Sequence, residues 1–296
     1  RDIIVLAYND GIINIDTLGG SGGEVAGVGG AVSVGVITHT TKAYVENAAN
    51  LANGAILYAA RTIDIKAESK EKIIGIAVCG AGGGAAGVAG AVVVKVVNTT
   101  TQAYIGNYAR VNQVNYSGIN ENQTVKVTAI DTVDVTGTGG SGTVSGVAGV
   151  GASVDVTVIR NTVTAYIGDY AQVRAYRYNS DAQPAGNIIV EARSNKIVES
   201  YVIGASGGGS VGISASVSVV SIGAKLNNDS KESLSNNGSF VDGEISKDFV
   251  TGNLGNSEHT QGIESMVAGK LTGLNISSYL NETSADSLNK TRAYIG

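Results

Sequence analysis

The chain contains an internal repeat of about 60 residues, and this repeat constrains the fold more than any single motif does. The segment Gly27–Val45 reads GVGGAVSVGVITHTTKAYV, and close copies begin at Gly87 and Gly149. A fourth copy begins at Gly212 and is interrupted by an insertion. Repeats of this length fold as stacked units, each of which buries its apolar surface against the next unit.

The composition favours β-strands. The chain has 42 glycines, one proline and no tryptophan, yet 43% of its residues are hydrophobic. This apolar content is too high for a disordered chain, and the glycines lack the three-residue period of collagen. The apolar residues are mostly valine, isoleucine and alanine, and the β-branched members of this set are typical of strands.

Ahead of each copy, apolar residues recur at every second position, which is the period of a strand. In the first repeat the alternation covers residues 3–7 and then residues 12–18, so we predict two strands followed by a glycine-rich turn. The first of these strands aligns across the four repeats at Ile3, Ile63, Val125 and Ile188.

The repeated segment itself also alternates. Val32, Val34 and Val36 share one face of a strand, and we expect this face to form the core. The other face is small or polar, and it holds Asp155 in the third copy, so we expect it to be solvated. We place a corner at residues 38–41, and a left-handed residue at the Asn or Asp that follows the AYI strand.

These patterns predict a right-handed parallel β-solenoid, with each repeat spanning two or three coils and advancing the axis by about 10 to 15 Å. Residues 1–223 would form the solenoid, and residues 290–296 would return to it. Equivalent residues would stack in columns, one of which is a structural tyrosine ladder; a ligand-stacking surface is the alternative. The ladder consists of Tyr44, Tyr104, Tyr166 and Tyr294.

Residues 224–289 break the repeat and are predicted to form a lateral, partly helical insertion. They hold nine acidic and four basic residues, which accounts for the whole formal charge of −5. They are either a surface elaboration or a module that contacts a partner. The candidate contact residues are Phe240, Phe249, Met266 and Tyr279.

The sequence does not favour a chemical site. It has no basic stripe for nucleic acid, and neither His39 nor His259 has a second ligand at zinc spacing. The glycine-rich segments resemble calcium-binding nonapeptides only superficially, because neither Glu24 nor Thr143 supplies an Asp at the place where that motif needs one. We therefore predict no cofactor, no metal and no catalytic residue. Cys79, the single cysteine, is interpreted as a small buried hydrophobe.

The sequence also shows no clear catalytic acid pair and no targeting segment. Asp131 and Asp134 are close in sequence, but tryptophan is absent, and no aromatic neighbourhood is evident to hold a sugar. No segment has the pattern of a signal peptide or of a membrane span. The chain opens at Arg1 and stops within a repeat, so we expect further coils at both ends.

The segment Val147–Val173 reads VAGVGASVDVTVIRNTVTAYIGDYAQV, and it resembles the repeats of giant filamentous haemagglutinin-like or leukotoxin-like adhesins of Gram-negative-type bacteria. The resemblance covers nearly all of the chain except the insertion. It implies a parallel β-helix rod that is exported and displayed at the cell surface, and it implies no catalytic residues.

We therefore expect a non-enzymatic shaft segment of a bacterial cell-surface filamentous adhesin, located outside the cell. Its expected partner is a protein or glycan on a host cell or neighbouring cell, bound through the insertion if the insertion binds anything. Two alternatives remain open: a carbohydrate-active β-helix enzyme, either a lyase or a hydrolase, and a self-associating extracellular filament or matrix protein.

Overall fold

The structure is a computed structural model that describes residues 1–113, 122–177, 186–223 and 290–296. Within these residues the protein is all-β and contains no α-helix; a single 3-10 turn covers Leu51–Asn53. The predicted insertion, residues 224–289, lies outside the described residues.

The described residues form twelve strands, which fall into long and short classes. The long strands are β1 Ile3–Gly23, β2 Ala26–Val45, β4 Thr62–Gly83, β5 Ala86–Ile105, β7 Thr124–Ser145, β8 Ala148–Ile167, β10 Asn187–Gly208 and β11 Val211–Ile222. The short strands are β3 Ile56–Leu57, β6 Arg110–Val111, β9 Gln172–Val173 and β12 Lys290–Ile295.

The strands form three parallel sheets, which the chain visits in a fixed order. Sheet A has the order β1-β4-β7-β10, sheet B has the order β2-β5-β8-β11 with β12 also paired to β8, and sheet C has the order β3-β6-β9. Every strand pair is parallel. Each of the first three repeats thus adds one strand to every sheet, an arrangement consistent with a β-solenoid.

Each repeat forms a single layer, so the prediction of two or three coils per repeat was wrong. Ile3 pairs with Ile63, and Ile63 pairs with Val125, which are the residues aligned by the repeat. Neighbouring strands in a sheet lie about 4.8 Å apart, so one repeat extends the stack by about that distance instead of 10 to 15 Å.

The layer is long because its strands are unbroken. Asn9, Asp10 and Gly11 resemble a turn in the sequence, but they lie inside β1, and the corner predicted at residues 38–41 lies inside β2. The two strands predicted at residues 3–7 and 12–18 are therefore parts of one strand, β1. The connection from β1 to β2 is only two residues long, Glu24 and Val25.

The inner face of sheet B was also assigned wrongly. The small and polar residues face sheet A: Ser33 donates a hydrogen bond to the carbonyl of Ile15, and a Cβ at Gly35 would lie 2.9 Å from Ile73 Cγ2. The valines form a separate cluster on the opposite face, centred on Val92, Val94, Val96, Val156 and Val158. The gap between sheets A and B is narrow, so the large side chains of sheet A pack against small residues of sheet B. The size of the residues on one strand therefore does not identify its inner face.

The main apolar core joins all three sheets. Ile63 and Ile65 of sheet A pack with Ile105 of sheet B and Val111 of sheet C, and all four are fully buried. A second, smaller cluster of mainly alanines surrounds Cys79, whose side chain is buried as predicted.

The turn after each AYI strand differs in one detail from the prediction. The backbone N–H of Asn107 donates to Oδ1 of Asn47, and that of Asp169 donates to Oδ1 of Asn107. The left-handed residues are the next ones, Tyr108 at φ 59° and Tyr170 at φ 58°. The side chains of Asn47 and Asn107 therefore link successive layers, and tyrosines take the left-handed conformation.

The described strands on either side of the predicted insertion lie in the same row of sheet B. Ile222, the last residue of β11, pairs with Ile159, and Lys290, the first residue of β12, pairs with Thr162. β11 and β12 thus occupy a single row beside β8, with room for two residues between them.

Candidate functional site

Three side-chain arrangements are candidates for function: a tyrosine stack, a buried polar cluster and a buried ion pair. Tyr44, Tyr104, Tyr166 and Tyr294 form one continuous stack on the outer face of sheet B. Successive ring centroids are 5.0, 4.8 and 5.2 Å apart, and the rings are within 13° of parallel. A second pair, Tyr108 and Tyr170, stacks at 5.0 Å.

The tyrosine stack presents ring edges along its length, because each ring covers the face of its neighbour. A sugar or planar ligand binds a ring face, so only the two ends of this stack could receive one. Tyr104 is 9% exposed, whereas the end residues Tyr44 and Tyr294 are 43% and 46% exposed. Burial, reinforced by the neighbouring tyrosines, raises the pKa of Tyr166 to about 12, so its hydroxyl stays neutral. This geometry favours a structural ladder.

The buried polar cluster lies between sheets A and B. Its members occupy aligned positions in successive layers, because parallel in-register pairing brings equivalent residues together. Sheet A contributes Asn9, Ser69, Glu71, Asp131, Ser194 and Lys196, and sheet B contributes His39, Thr41, Thr99, Thr101 and Asn161.

One half of the cluster centres on His39. Its Nε2 atom lies 2.7 Å from Ser69 Oγ, 2.9 Å from Glu71 Oε1 and 3.1 Å from Asn9 Nδ2. Ser69 also donates a hydrogen bond to Glu71 Oε1. The second carboxyl oxygen of Glu71, Oε2, is buried without a hydrogen-bond partner.

The other half centres on Asp131, which is fully buried. Thr99 and Thr101 donate to Oδ2 at 3.1 and 3.2 Å, and Asn161 donates to Oδ1 at 2.5 Å. Asn161 also donates a hydrogen bond to Ser194 Oγ at 3.2 Å. Donors from two strands of sheet B, β5 and β8, therefore converge on this carboxyl group.

Burial sets the protonation of the cluster. It raises the pKa of Glu71 to about 7, with a further contribution from Asp131, and it raises the pKa of Asp131 despite the three donors. Burial also lowers the pKa of His39. Both shifts favour the neutral forms of His39 and Glu71. The 2.9 Å contact between these neutral side chains is therefore a hydrogen bond and not an ion pair.

The serine, histidine and glutamate do not form a nucleophilic relay. A relay needs the carboxylate on one imidazole nitrogen and the hydroxyl on the other, whereas Ser69 and Glu71 both contact Nε2 of His39. Ser69 and Glu71 are also buried, so a polymer substrate could not reach them. His39, Ser69 and Glu71 can instead exchange protons through hydrogen bonds that join sheets A and B.

The buried ion pair joins Lys95 in β5 to Asp155 in β8, with the two side chains 0% and 1% exposed. The prediction that Asp155 lies on a solvated outer face was wrong: its face packs against sheet A, where Ser200 donates a hydrogen bond to Oδ2. Asp131 and Asp134 were considered as an acid pair, but they lie on opposite faces of β7, and Asp134 instead pairs with Lys72 on the outside.

The remaining predicted site residues lie outside the described residues. These are the candidate contact residues Phe240, Phe249, Met266 and Tyr279. In the part of the chain that the structure describes, no group of three or more His, Cys, Asp or Glu side chains is arranged to hold a metal ion. Across the same residues, no helix has the length and apolar character needed to cross a membrane.

The sequence prediction missed the buried cluster and the role of Lys95. Repeat alignment contains a signal for the cluster, because Asn9, Ser69, Asp131 and Ser194 share one aligned position and are all polar.

Comparison with protein-family models, curated proteins and solved structures found no match for this chain.

Proposed function

We propose that this chain is a shaft segment of an extracellular filamentous adhesin on the bacterial cell surface, built as a right-handed parallel β-solenoid. The observation that carries the proposal is the in-register pairing of equivalent residues, such as Tyr44 with Tyr104 and Tyr104 with Tyr166. Each layer offers the next layer the same backbone and side-chain pattern. A stack of this kind grows in length by adding repeats, without any change in cross-section.

The handedness follows from a general rule. A connection between two parallel strands of one sheet is right-handed in nearly all proteins, because of the twist of the strands. The chain leaves sheet A, passes through sheets B and C, and returns to the neighbouring strand of sheet A. In the proposed solenoid the three sheets enclose the core that contains Ile63, Ile105 and Val111.

The three buried carboxylates of the described residues give no support to the carbohydrate-active alternative. Glu71, Asp131 and Asp155 are buried between the sheets, where a polysaccharide cannot reach them. Several buried polar side chains instead form hydrogen bonds between successive layers. Hydrogen bonds between layers are better explained by a mechanical role than by catalysis.

Lengthening the stack tests the shaft proposal. Four additional tandem copies of residues 62–123, inserted after Gln123, should extend the molecule by about 19 Å, since each layer adds about 4.8 Å. Small-angle X-ray scattering should show the increase in maximum dimension with an unchanged cross-sectional radius. An increase of the cross-section at constant length would contradict the proposal.

Removing the insertion tests the proposed lateral contact. In β5, Asn98 and Thr99 lie between the residues aligned with Ile159 and Thr162, so residues 223–289 should be replaced by Asn-Thr to complete the row. We expect the free energy of unfolding to stay within about 0.5 kcal/mol, since no described core contact is lost. Binding to host cells or to a glycan array should fall to background. Binding equal to that of the intact chain would remove the contact role from the insertion and assign it to the rod.

A further inference from the structure

The buried ion pair Lys95–Asp155 has a geometry suited to covalent chemistry. The two residues lie on neighbouring strands of sheet B, with Asp155 directly opposite Val93 and Lys95 two positions further along the same inner face. The lysine side chain reaches across this diagonal, and Nζ contacts Oδ1 of Asp155. An amine and a carboxyl group are therefore held together in the interior.

The surroundings fix this contact and exclude water. Val93 and Val97 flank Lys95 on β5, and both are fully buried. Gly137 of sheet A faces the pair, and a Cβ at this position would overlap Nζ of Lys95 and both carboxyl oxygens of Asp155. The absence of a side chain at residue 137 makes the space that the two groups fill.

The charged form of the pair is poorly satisfied. A lysine ammonium has three N–H donors, and the only acceptor that Nζ has among the described residues is Asp155 Oδ1. A buried ammonium with unused donors is costly. Burial lowers the pKa of Lys95 despite the neighbouring carboxyl group, which favours the neutral amine needed for nucleophilic attack.

We propose that Lys95 and Asp155 condense to form an isopeptide bond between Nζ and Cγ, which links β5 covalently to β8. The product has a single N–H donor, so the unsatisfied donors of the ammonium disappear. The bond would join two successive layers of sheet B by a closed loop of about 60 residues, which resists separation of the layers.

The reaction is balanced and requires no second reagent. A proton passes from Nζ to Oδ1 and leaves a neutral amine beside a neutral carboxylic acid. The nitrogen lone pair attacks Cγ, and the developing negative charge falls on Oδ2, which accepts the hydrogen bond from Ser200. A second proton moves from nitrogen to Oδ1, the Cγ–Oδ1 bond breaks, and Oδ1 leaves as water. Fixed proximity in a dry site offsets the tendency of amides to hydrolyse.

The chain contains a matched control for this chemistry. Lys72 and Asp134 are the same residue types on neighbouring strands of sheet A, and Nζ lies 2.9 Å from Oδ2. Their side chains are 44% and 32% exposed, so water solvates both groups and no dry site holds them together. We expect no bond between Lys72 and Asp134.

Mass spectrometry of the purified full chain tests the proposal. The intact mass should lie about 18 Da below the mass of the sequence, because one water is lost. Tryptic digestion should yield a branched peptide that contains both Lys95 and Asp155, and Lys72 and Asp134 should occur in unlinked peptides. An intact mass equal to the sequence mass would overturn the proposal without any variant being made.

Variants separate the isopeptide from other losses of water. Cyclisation of Asp155 with its own backbone would also remove one water, but it would persist in Lys95→Met, whereas the isopeptide would not. Asp155→Asn should still form the bond with release of ammonia, a loss of about 17 Da. Water loss that survives in Lys95→Met, or an Asp155 recovered only in a linear peptide from the native chain, would also exclude the bond.

Discussion

Replacing Asp131 with alanine is expected to lower the free energy of unfolding by about 3 to 5 kcal/mol, the largest effect of any single substitution considered. The carboxyl group accepts hydrogen bonds from Thr99, Thr101 and Asn161, which come from two different strands of sheet B. Alanine would leave these donors buried between the sheets without their acceptor. Urea denaturation followed by circular dichroism measures the change.

Asp134→Ala is the matched control for this prediction. Asp134 lies three residues further along β7 on the outer face, where it pairs with the exposed Lys72. An exposed ion pair contributes little, so we expect a change of about 0.5 kcal/mol or less. Equal effects of the two substitutions would show that Asp131 is hydrated and that the cluster does not join the sheets.

The order of the strands within each sheet follows from the repeat. Aligning Ile3 with Ile63 and Val125 in the sequence predicts parallel strands in register, and the structure pairs these residues. The reason is physical: identical short patterns bury themselves best against copies of themselves, because each side chain then meets an equivalent one. The same alignment places the tyrosines of successive repeats beside one another.

The length of the strands could not be predicted from local signals. Asn, Asp and Gly at residues 9–11 are typical of a turn, which suggests two strands where the structure has one. Asn9 is polar for another reason: its side chain contacts His39 within the buried cluster. A polar residue that pairs across a sheet interface and a polar residue in a turn have the same local sequence signature.

The inner face of sheet B depends on its partner sheet. Val32 and Val36 are larger than Ser33 and Gly35, so hydrophobicity alone favours the valine face as the core. The distance between sheets A and B reverses this choice, because the isoleucines of sheet A already fill the gap in front of Gly35. The buried position of Asp155 follows from the same reversal, and so does its contact with Lys95.

The acidic side of the buried cluster should make stability depend on pH. Glu71 faces His39 on β2, Ser69 on its own strand and Asp131 on β7, and Asp10 on β1 also raises its pKa. The ordinary pKa of a glutamate is 4.5, and burial raises that of Glu71 to about 7. Between these values the folded protein keeps a proton that the unfolded chain releases. Stability from this group is therefore fully present below about pH 4.5 and is lost as the pH rises through 7.

Glu71→Gln should remove this dependence, because glutamine keeps the shape of a protonated glutamate and does not titrate. The shift corresponds to about 3 kcal/mol, so the native protein should lose about that much more stability than the variant between pH 4.5 and 7.5. Comparing the loss in the two proteins cancels the opposing contribution of His39, whose lowered pKa costs stability only as the pH falls below 6.5. Glu68→Gln, on the outer face of the same strand, is the control: the lysines Lys66 and Lys70 lower the pKa of Glu68, so its contribution has the opposite sign. If the native protein and Glu71→Gln lose stability in parallel, Glu71 titrates as an ordinary glutamate, and water must reach it between the sheets.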